Sequence, residues 1–140
     1  MTELYKAKIE KKIELPLYEF PVSAGFPSPA EDFVDKHLDL NEYIVRHPAA
    51  TFFVRVKGYS MQGCGITDGD LVVVDRALDP GDKSVVVAFL NGEFTMKRVR
   101  FKKGDLYLVP ENESYEPIKV TEEMDFQVWG VVTHAIKEIR

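Results

Sequence analysis

From residue 51 onward the chain carries a series of strand-like apolar runs. TFFVRVKG (51–58) alternates apolar and polar residues, and DLVVVDRAL (70–78) is rich in β-branched residues. Asn91-Gly92 separates two of these apolar runs, and an Asn-Gly pair in that setting is a strong signal for a β-hairpin. The pattern predicts a twisted, mainly antiparallel β domain. The runs that carry it are TFFVRVKG (51–58), DLVVVDRAL (70–78), SVVVAFLNGEFTMKRVRF (84–101), DLYLVPEN (105–112) and FQVWGVVTHAI (126–136).

The first 50 residues follow a different pattern. Four prolines (Pro16, Pro21, Pro27 and Pro29) interrupt any helix or central strand, which predicts an extended arm. Its apolar residues indicate that the arm docks on another surface; they are Leu15, Leu17, Tyr18, Phe20 and Val22. The capping pattern SPAE (28–31) predicts a short amphipathic helix reaching Leu38, and a second short helix is predicted within 39–47.

Composition narrows the class of protein. The 140 residues suit one domain, and the single cysteine, Cys64, excludes an internal disulfide. The net charge of −5 at pH 7 argues against a nucleic-acid backbone as the main partner. We interpret the cations of 96–105 as the solvated face and edge of a strand. No run is long and apolar enough for a signal peptide or a membrane span, so we expect a cytoplasmic protein without a membrane partner.

Ser60 is a candidate catalytic residue, because it lies in a glycine-rich bend between two predicted strands. Serine is an ordinary turn residue, but it can also be a nucleophile if a base accepts its proton. The stretch GYSMQ (58–62) is similar to the nucleophile elbow of α/β-hydrolases, yet Gln62 replaces the last glycine and the parallel scaffold is missing. The three histidines are interpreted as ordinary hydrogen-bonding partners. Nothing has metal-ligand spacing, so no metal or cofactor is expected.

Lys97 is the more informative candidate for the base. In a strand it shares a face with Val99 and Phe101, whereas Arg98 and Arg100 lie on the opposite, solvated face. If Lys97 is buried, desolvation lowers its pKa and makes the neutral amine available as the base of a serine–lysine dyad. The alternative is a lysine that extends to water over its apolar neighbours.

Several motifs together resemble one known family. They are the GYSM serine, the strand entry GITDGDL, the GEFT turn followed by Lys97, and the late strand FQVWGVVTHAIK. Over about residues 15–140 the chain resembles the UmuD proteins, within the LexA-type family of self-cleaving serine–lysine peptidases. The resemblance implies a curved, mostly antiparallel β fold with an extended and short-helical N-terminal arm.

The resemblance also implies roles for individual residues. Ser60 would be the nucleophile, Lys97 the general base, and Ala24–Gly25 the bond that is cut. Backbone N–H groups of Tyr59 and Ser60 would stabilise the oxyanion. The expected organisation is an arm over residues 1–24 removed by self-cleavage, an extended and short-helical segment over 25–50, and a catalytic and dimerisation domain over 51–140.

The family's partners are implied in the same way. A RecA filament on single-stranded DNA would stimulate cleavage after DNA damage. The processed homodimer would join a UmuC-type Y-family DNA polymerase in error-prone translesion synthesis. LexA-type repressors carry a helix-turn-helix domain before the peptidase domain, and none fits here, so no strong direct DNA binding is expected. Two alternatives stay open: a non-catalytic β-domain interaction module, and a repressor-like regulator without a DNA-binding domain.

Overall fold

The structure is a computed structural model that describes residues 3–8, 10–18 and 34–140. Ten strands and one short α-helix make up most of this part of the chain, and single turns of 3₁₀-helix cover Pro48–Ala50 and Gln62–Cys64. The strands are β1 (Glu3–Lys6), β2 (Glu14–Tyr18), β3 (Val34–Asp39), β4 (Thr51–Arg55), β5 (Leu71–Asp75), β6 (Val85–Leu90), β7 (Glu93–Lys102), β8 (Asp105–Val109), β9 (Ile118–Lys119) and β10 (Phe126–Ile136), and the helix is α1 (Leu40–Ile44).

Eight of the strands form one antiparallel sheet in the order β1-β4-β5-β10-β6-β7-β8-β9, and β2 pairs with β3 in a separate two-stranded sheet. The predicted fold class, a mostly antiparallel β domain of the LexA/UmuD type, is confirmed.

Strand β10 joins the two halves of the large sheet. Its first part pairs with β6 and its second part with β5, with register shifts between Val128 and Gly130 and between Val132 and His134. Such bulges bend a strand and increase its twist. A Cβ atom at Gly130 would lie 2.5 Å from Val74 Cγ1, so glycine permits the close approach of β10 to β5.

The Asn91-Gly92 hairpin fixes the register of the strands beside the cleft described below. Both residues have positive φ, 49° and 84°, as a two-residue type I′ turn requires. The turn pairs Leu90 with Glu93 and, further along, Val86 with Lys97. The predicted hairpin is therefore present, and it determines where Lys97 lies in the sheet.

The core consists of two apolar clusters, and β6 contributes to both because successive side chains point to opposite faces. Val87 belongs to the first cluster, whereas Val86 and Ala88 belong to the second. The first cluster also holds Val54, Val56, Met61, Ile66, Val72, Val74 and Met96. Met61 directly follows Ser60, so the first core cluster anchors the serine-bearing turn.

The region before β4 departs from the predicted helices in part. Residues 34–38, assigned to the first helix, form strand β3 instead, because they pair with β2 from Glu14 to Tyr18. Short helices have little stability of their own, so pairing with a distant strand overrides a local capping signal. Residues 28–33 lie outside the described residues. The second predicted helix is confirmed as α1.

Asp39 caps α1 and ties it to the arm. Its carboxylate accepts hydrogen bonds from Glu42 N–H at 3.1 Å and Ile13 N–H at 2.6 Å. These two bonds, led by that from Glu42, lower the pKa of the Asp39 carboxyl. The arm docks through β1 on β4, not through the residues from which docking was predicted. Of those, Leu15 is exposed, and Phe20 and Val22 lie outside the described residues.

Candidate active site

The turn that carries Ser60 is closed at its base by hydrogen bonds between residues on either side of it. Val56 N–H donates to Asp70 O and Gly69 N–H donates to Val56 O, both at 2.8 Å. Gly58 has a φ of 95° and donates its N–H to Asp68 Oδ1 at 2.8 Å. The GITDGD sequence thus supplies the Asp68 carboxylate, the Asp70 main-chain carbonyl and the Gly69 N–H that hold the chain as it enters and leaves the turn.

Ser60 and Lys97 lie together at one end of this turn. The distance from Lys97 Nζ to Ser60 Oγ is 3.4 Å, and Nζ also donates to Met96 O at 3.1 Å. Both side chains are half-buried. Burial disfavours the ammonium form and lowers the pKa of Lys97 below the ordinary value of 10.5.

A cleft of about 220 Å³ opens beside the serine and the lysine. Three of its lining residues, Tyr59, Phe94 and Tyr115, are each about half exposed, so the cleft presents aromatic surface to solvent. Residues 94–97 of β7 line one side of the cleft. They pair with β6, whereas β8 pairs with β7 only from Arg98 onward. Among the described residues, no strand covers the other edge of β7 here, and an extended chain can add to such an edge.

Comparison with known proteins places the sequence in a peptidase family. The model of the family described as peptidase S24-like matches residues 16–133.

This chain belongs to the peptidase S24-like family.

Its similarity to protein SamA of Salmonella typhimurium strain LT2 is 47% identity, covering 89% of this chain and 86% of that protein. With protein MucA of Escherichia coli it shares 43% identity over 89% of this chain and 85% of that protein. The LexA repressor of Hahella chejuensis is 39% identical, covering 79% of this chain and 56% of the repressor. The resemblance to the UmuD-like members of the LexA/UmuD family is confirmed.

The sequence-predicted residues of this S24-like peptidase have different outcomes. Ser60 and Lys97 are brought together. Tyr59 lines the cleft, and no hydrogen bond from the Ser60 N–H is formed within the described residues. Ala24 and Gly25 lie outside them. The roles assigned to all five stay predictions.

The strand pattern around Lys97 was predicted only in part. Val99 is buried as expected, but Phe101 on the same face is 48% exposed. Arg98 and Arg100 are half-buried rather than solvated, because Arg98 pairs with Glu111 and Arg100 pairs with Asp82 at 3.4 Å. The long, twisted β7 passes from β6 to β8 as its partner, so one face does not keep one environment along its length.

The sequence analysis did not identify the loop between β8 and β9 as part of the site. Glu111 O accepts the Gly63 N–H at 2.5 Å, and Asn112 Nδ2 donates to Tyr59 O at 2.8 Å. A Cβ atom at Gly63 would lie 2.5 Å from Glu111 O, so glycine is required for this contact. The glycine at position 63 was the only local signal that another segment approaches the turn closely.

Two histidines have structural partners, and the described residues contain neither a metal-binding cluster nor a membrane-spanning helix. His47 Nδ1 bonds to Asp75 Oδ2 at 2.5 Å, and His134 Nδ1 lies 2.9 Å from Thr133 Oγ1, so two of the histidines take part in ordinary hydrogen bonding. Among the described residues, no group of three or more His, Cys, Asp or Glu side chains could hold a metal ion. No helix in the described ranges is long and apolar enough to cross a membrane.

Proposed function

We propose that this S24-like protein is a serine peptidase that cleaves its own Ala24–Gly25 bond with a Ser60–Lys97 dyad. The observation that carries the proposal is the 3.4 Å separation of Lys97 Nζ and Ser60 Oγ. The lowered pKa of Lys97 supports it, because a lysine can act as a base only in its neutral form.

The first chemical step follows from these two groups. Neutral Lys97 accepts the Ser60 hydroxyl proton, and Ser60 Oγ attacks the carbonyl carbon of Ala24. The resulting oxyanion takes hydrogen bonds from backbone N–H groups at Tyr59 and Ser60. The lysine, now an ammonium ion, protonates the Gly25 amine as the peptide bond breaks.

The second step releases the enzyme. A water molecule gives a proton to Lys97 and its oxygen attacks the acyl-enzyme ester. Lys97 then passes that proton to Ser60 Oγ as the ester bond breaks, which restores the Ser60 hydroxyl and the neutral lysine and frees the Ala24 carboxyl group. The free edge of β7 beside the cleft is suited to hold the segment around residues 24–25 in an extended conformation. Because this segment belongs to the same protein, the reaction depends on how often it docks and on how much Lys97 is neutral.

The biological role that we propose is a switch in the response to DNA damage. A RecA filament on single-stranded DNA would stimulate the cleavage. Processed homodimers would then serve as the accessory subunit of a UmuC-type Y-family polymerase. The removed segment, residues 1–24, would include β1, so cleavage would also uncover the outer edge of β4.

The test is the intact mass of the native chain, Ser60→Ala and Lys97→Ala after incubation between pH 7 and pH 10. Each is incubated with and without RecA, single-stranded DNA and nucleotide. We expect only the native chain to lose residues 1–24, faster as the pH rises and fastest with RecA. The lowered pKa sets this direction, since the neutral fraction of Lys97 grows with pH.

An uncut native chain in all conditions would contradict the proposal and favour the non-catalytic interaction module. If the Ser60→Ala variant still cleaved itself, the Ser60–Lys97 dyad would be contradicted, but self-cleavage would not.

A further inference from the structure

Hydrogen bonds to the Tyr59 carbonyl oxygen fix the orientation of the peptide group between Tyr59 and Ser60. Tyr59 O accepts two hydrogen bonds, from Gln62 N–H at 3.2 Å within the turn and from Asn112 Nδ2 at 2.8 Å in the loop between β8 and β9. The second bond crosses 53 positions of sequence. The orientation of this peptide plane is therefore set from outside the turn as well as within it.

The same peptide plane carries the Ser60 N–H. The Tyr59–Ser60 peptide bond is trans, like every peptide bond of the described residues, and in a trans peptide the N–H points away from the carbonyl oxygen. Fixing Tyr59 O towards Asn112 therefore directs the Ser60 N–H to the opposite side. Within the described residues this N–H has no hydrogen-bond partner, so it is available to a group that enters the cleft.

Asn112 is itself held so that its amide nitrogen faces Tyr59. Its Oδ1 accepts the Ser114 N–H at 2.9 Å, which places Nδ2 on the other side of the amide group. Its main-chain carbonyl accepts the Tyr115 N–H at 3.0 Å. Glu111, the preceding residue, is fixed by the Gly63 N–H and by Arg98 of β7. The donor is thus supported by the strand that carries Lys97.

We propose that Asn112 is a positioning residue that holds the Tyr59–Ser60 peptide so that the Ser60 N–H can stabilise the oxyanion. The inference rests on the proposed function, because it names a residue that prepares the same site. Asn112 does not touch the reacting atoms in this account. It acts on them through one carbonyl group.

The expected loss of cleavage rate follows from how much one oxyanion donor contributes to the rate. Removing one such donor costs about 10²–10³ in rate. Loss of Asn112 leaves the donor in place but releases its orientation, so we expect cleavage to slow by about 10- to 100-fold. The pH midpoint of the rate should not move in a neutral variant, because the surroundings of Lys97 stay the same.

Two variants of the full chain test this. Asn112→Asp keeps the acceptor for Ser114 N–H but turns an oxygen towards Tyr59 O, and Asn112→Ala removes the donor without adding charge. Asn91→Asp and Asn91→Ala are the matched controls, since Asn91 Oδ1 accepts the Asp125 N–H at 3.1 Å in a turn that does not line the cleft. Cleavage is followed by intact mass from pH 7 to pH 10, and the folded fraction by circular dichroism.

A second readout does not depend on cleavage. In a Ser60→Ala background, the ¹³C shift of the Tyr59 carbonyl reports the hydrogen bond that it accepts. We expect that shift to change with Asn112→Ala and to stay constant with Asn91→Ala.

The inference is supported if both Asn112 variants fold and cleave at least tenfold more slowly, with the pH midpoint of Asn112→Ala unchanged. It is overturned if they cleave within twofold of the native rate, if the rate only follows the folded fraction, or if the midpoint moves while the plateau stays. An uncut native chain points to failure of the proposed function instead. In that case an unchanged Tyr59 carbonyl shift still overturns the positioning contact.

Discussion

Two glycine-containing turns of the same sheet are held in different ways. The Asn91-Gly92 turn has the two positive φ angles of a type I′ hairpin, and the strands on either side continue in register from it. Its long-range hydrogen bonds join Asn91 to one residue, Asp125, through the Asn91 N–H and the Asn91 Oδ1. The Ser60 turn depends on residues far away in sequence: Glu111 bonds to Gly63, Asn112 bonds to Tyr59, and Lys137 bonds to Asp70 at its base.

The two turns also differ in the structural precision that their roles require. A hairpin needs only a local conformation that reverses the chain. A reactive serine needs a fixed position relative to a base on another strand, and a 3.4 Å separation has to be maintained between two elements 37 positions apart. Long-range hydrogen bonds supply that constraint. The comparison predicts that changes around the Ser60 turn alter the cleavage rate, whereas changes in the hairpin alter the stability of the fold.

The largest difference in cleavage rate is expected between Gly63→Ala in the Ser60 turn and Gly92→Ala in the hairpin. An alanine Cβ at position 63 would lie 2.5 Å from Glu111 O, a backbone atom, so the turn or the loop has to move. We expect self-cleavage to slow by about tenfold or more, because small misplacements of reacting groups have large effects on rate.

Gly92→Ala should behave differently. Its Cβ meets nothing within 4 Å, but its φ of 84° is unfavourable for alanine. We expect a loss of about 1–2 kcal/mol in the free energy of unfolding and an unchanged cleavage rate per folded molecule. Denaturant unfolding in a Ser60→Ala background and intact mass in the native background measure the two effects. Equal loss of rate in both variants would contradict the comparison.

A smaller effect is expected at the base of the Ser60 turn. Asp70 is 4% exposed and accepts hydrogen bonds from Lys137 Nζ at 2.8 and 2.9 Å and from Thr67 N–H at 2.9 Å. Lys137→Met leaves this buried carboxylate with one fewer charged partner. We expect a loss of about 1–3 kcal/mol in the free energy of unfolding, measured with denaturant in the Ser60→Ala background.

The matched control for Lys137 is Lys119→Met. Lys119 and Asp105 are 3.5 Å apart and both side chains are about half exposed, so this pair contributes little. We expect a change below about 0.5 kcal/mol for the control. Similar losses in the two variants would mean that the contact at Asp70 is no stronger than an ordinary surface ion pair.

The same distinction explains what the sequence could predict. Strands β4 to β8 and β10 follow from apolar alternation or from runs of β-branched residues, and the β6–β7 hairpin follows from two adjacent residues, because these signals are local. The proposed nucleophile and base were chosen from motifs that resemble a known family. Periodicity alone could not decide whether Lys97 is a buried base or a solvated cation. It also extended the apolar face to Phe101, which is exposed.

Contacts between distant segments could not be predicted in this way. The pairing of β3 with β2 replaced an expected helix over residues 34–38, and the pairing of β1 with β4 had no local signal beyond apolar residues in the arm. Asn112 was missed for the same reason: an asparagine after a strand is an ordinary turn residue until the structure places Tyr59 O beside it.

The most direct test of the account is the titration of Lys97 itself. The ¹⁵Nζ or ¹³Cε resonance of Lys97 can be followed by NMR against pH in Ser60→Ala, which does not cleave. The cleavage rate of the native chain is then measured over the same pH range. We predict a Lys97 midpoint below 10.5, because burial penalises its ammonium form, and a cleavage rate that rises through that midpoint and levels off above it. A Lys97 that titrates at or above 10.5, or a rate that does not follow its titration, would contradict the dyad.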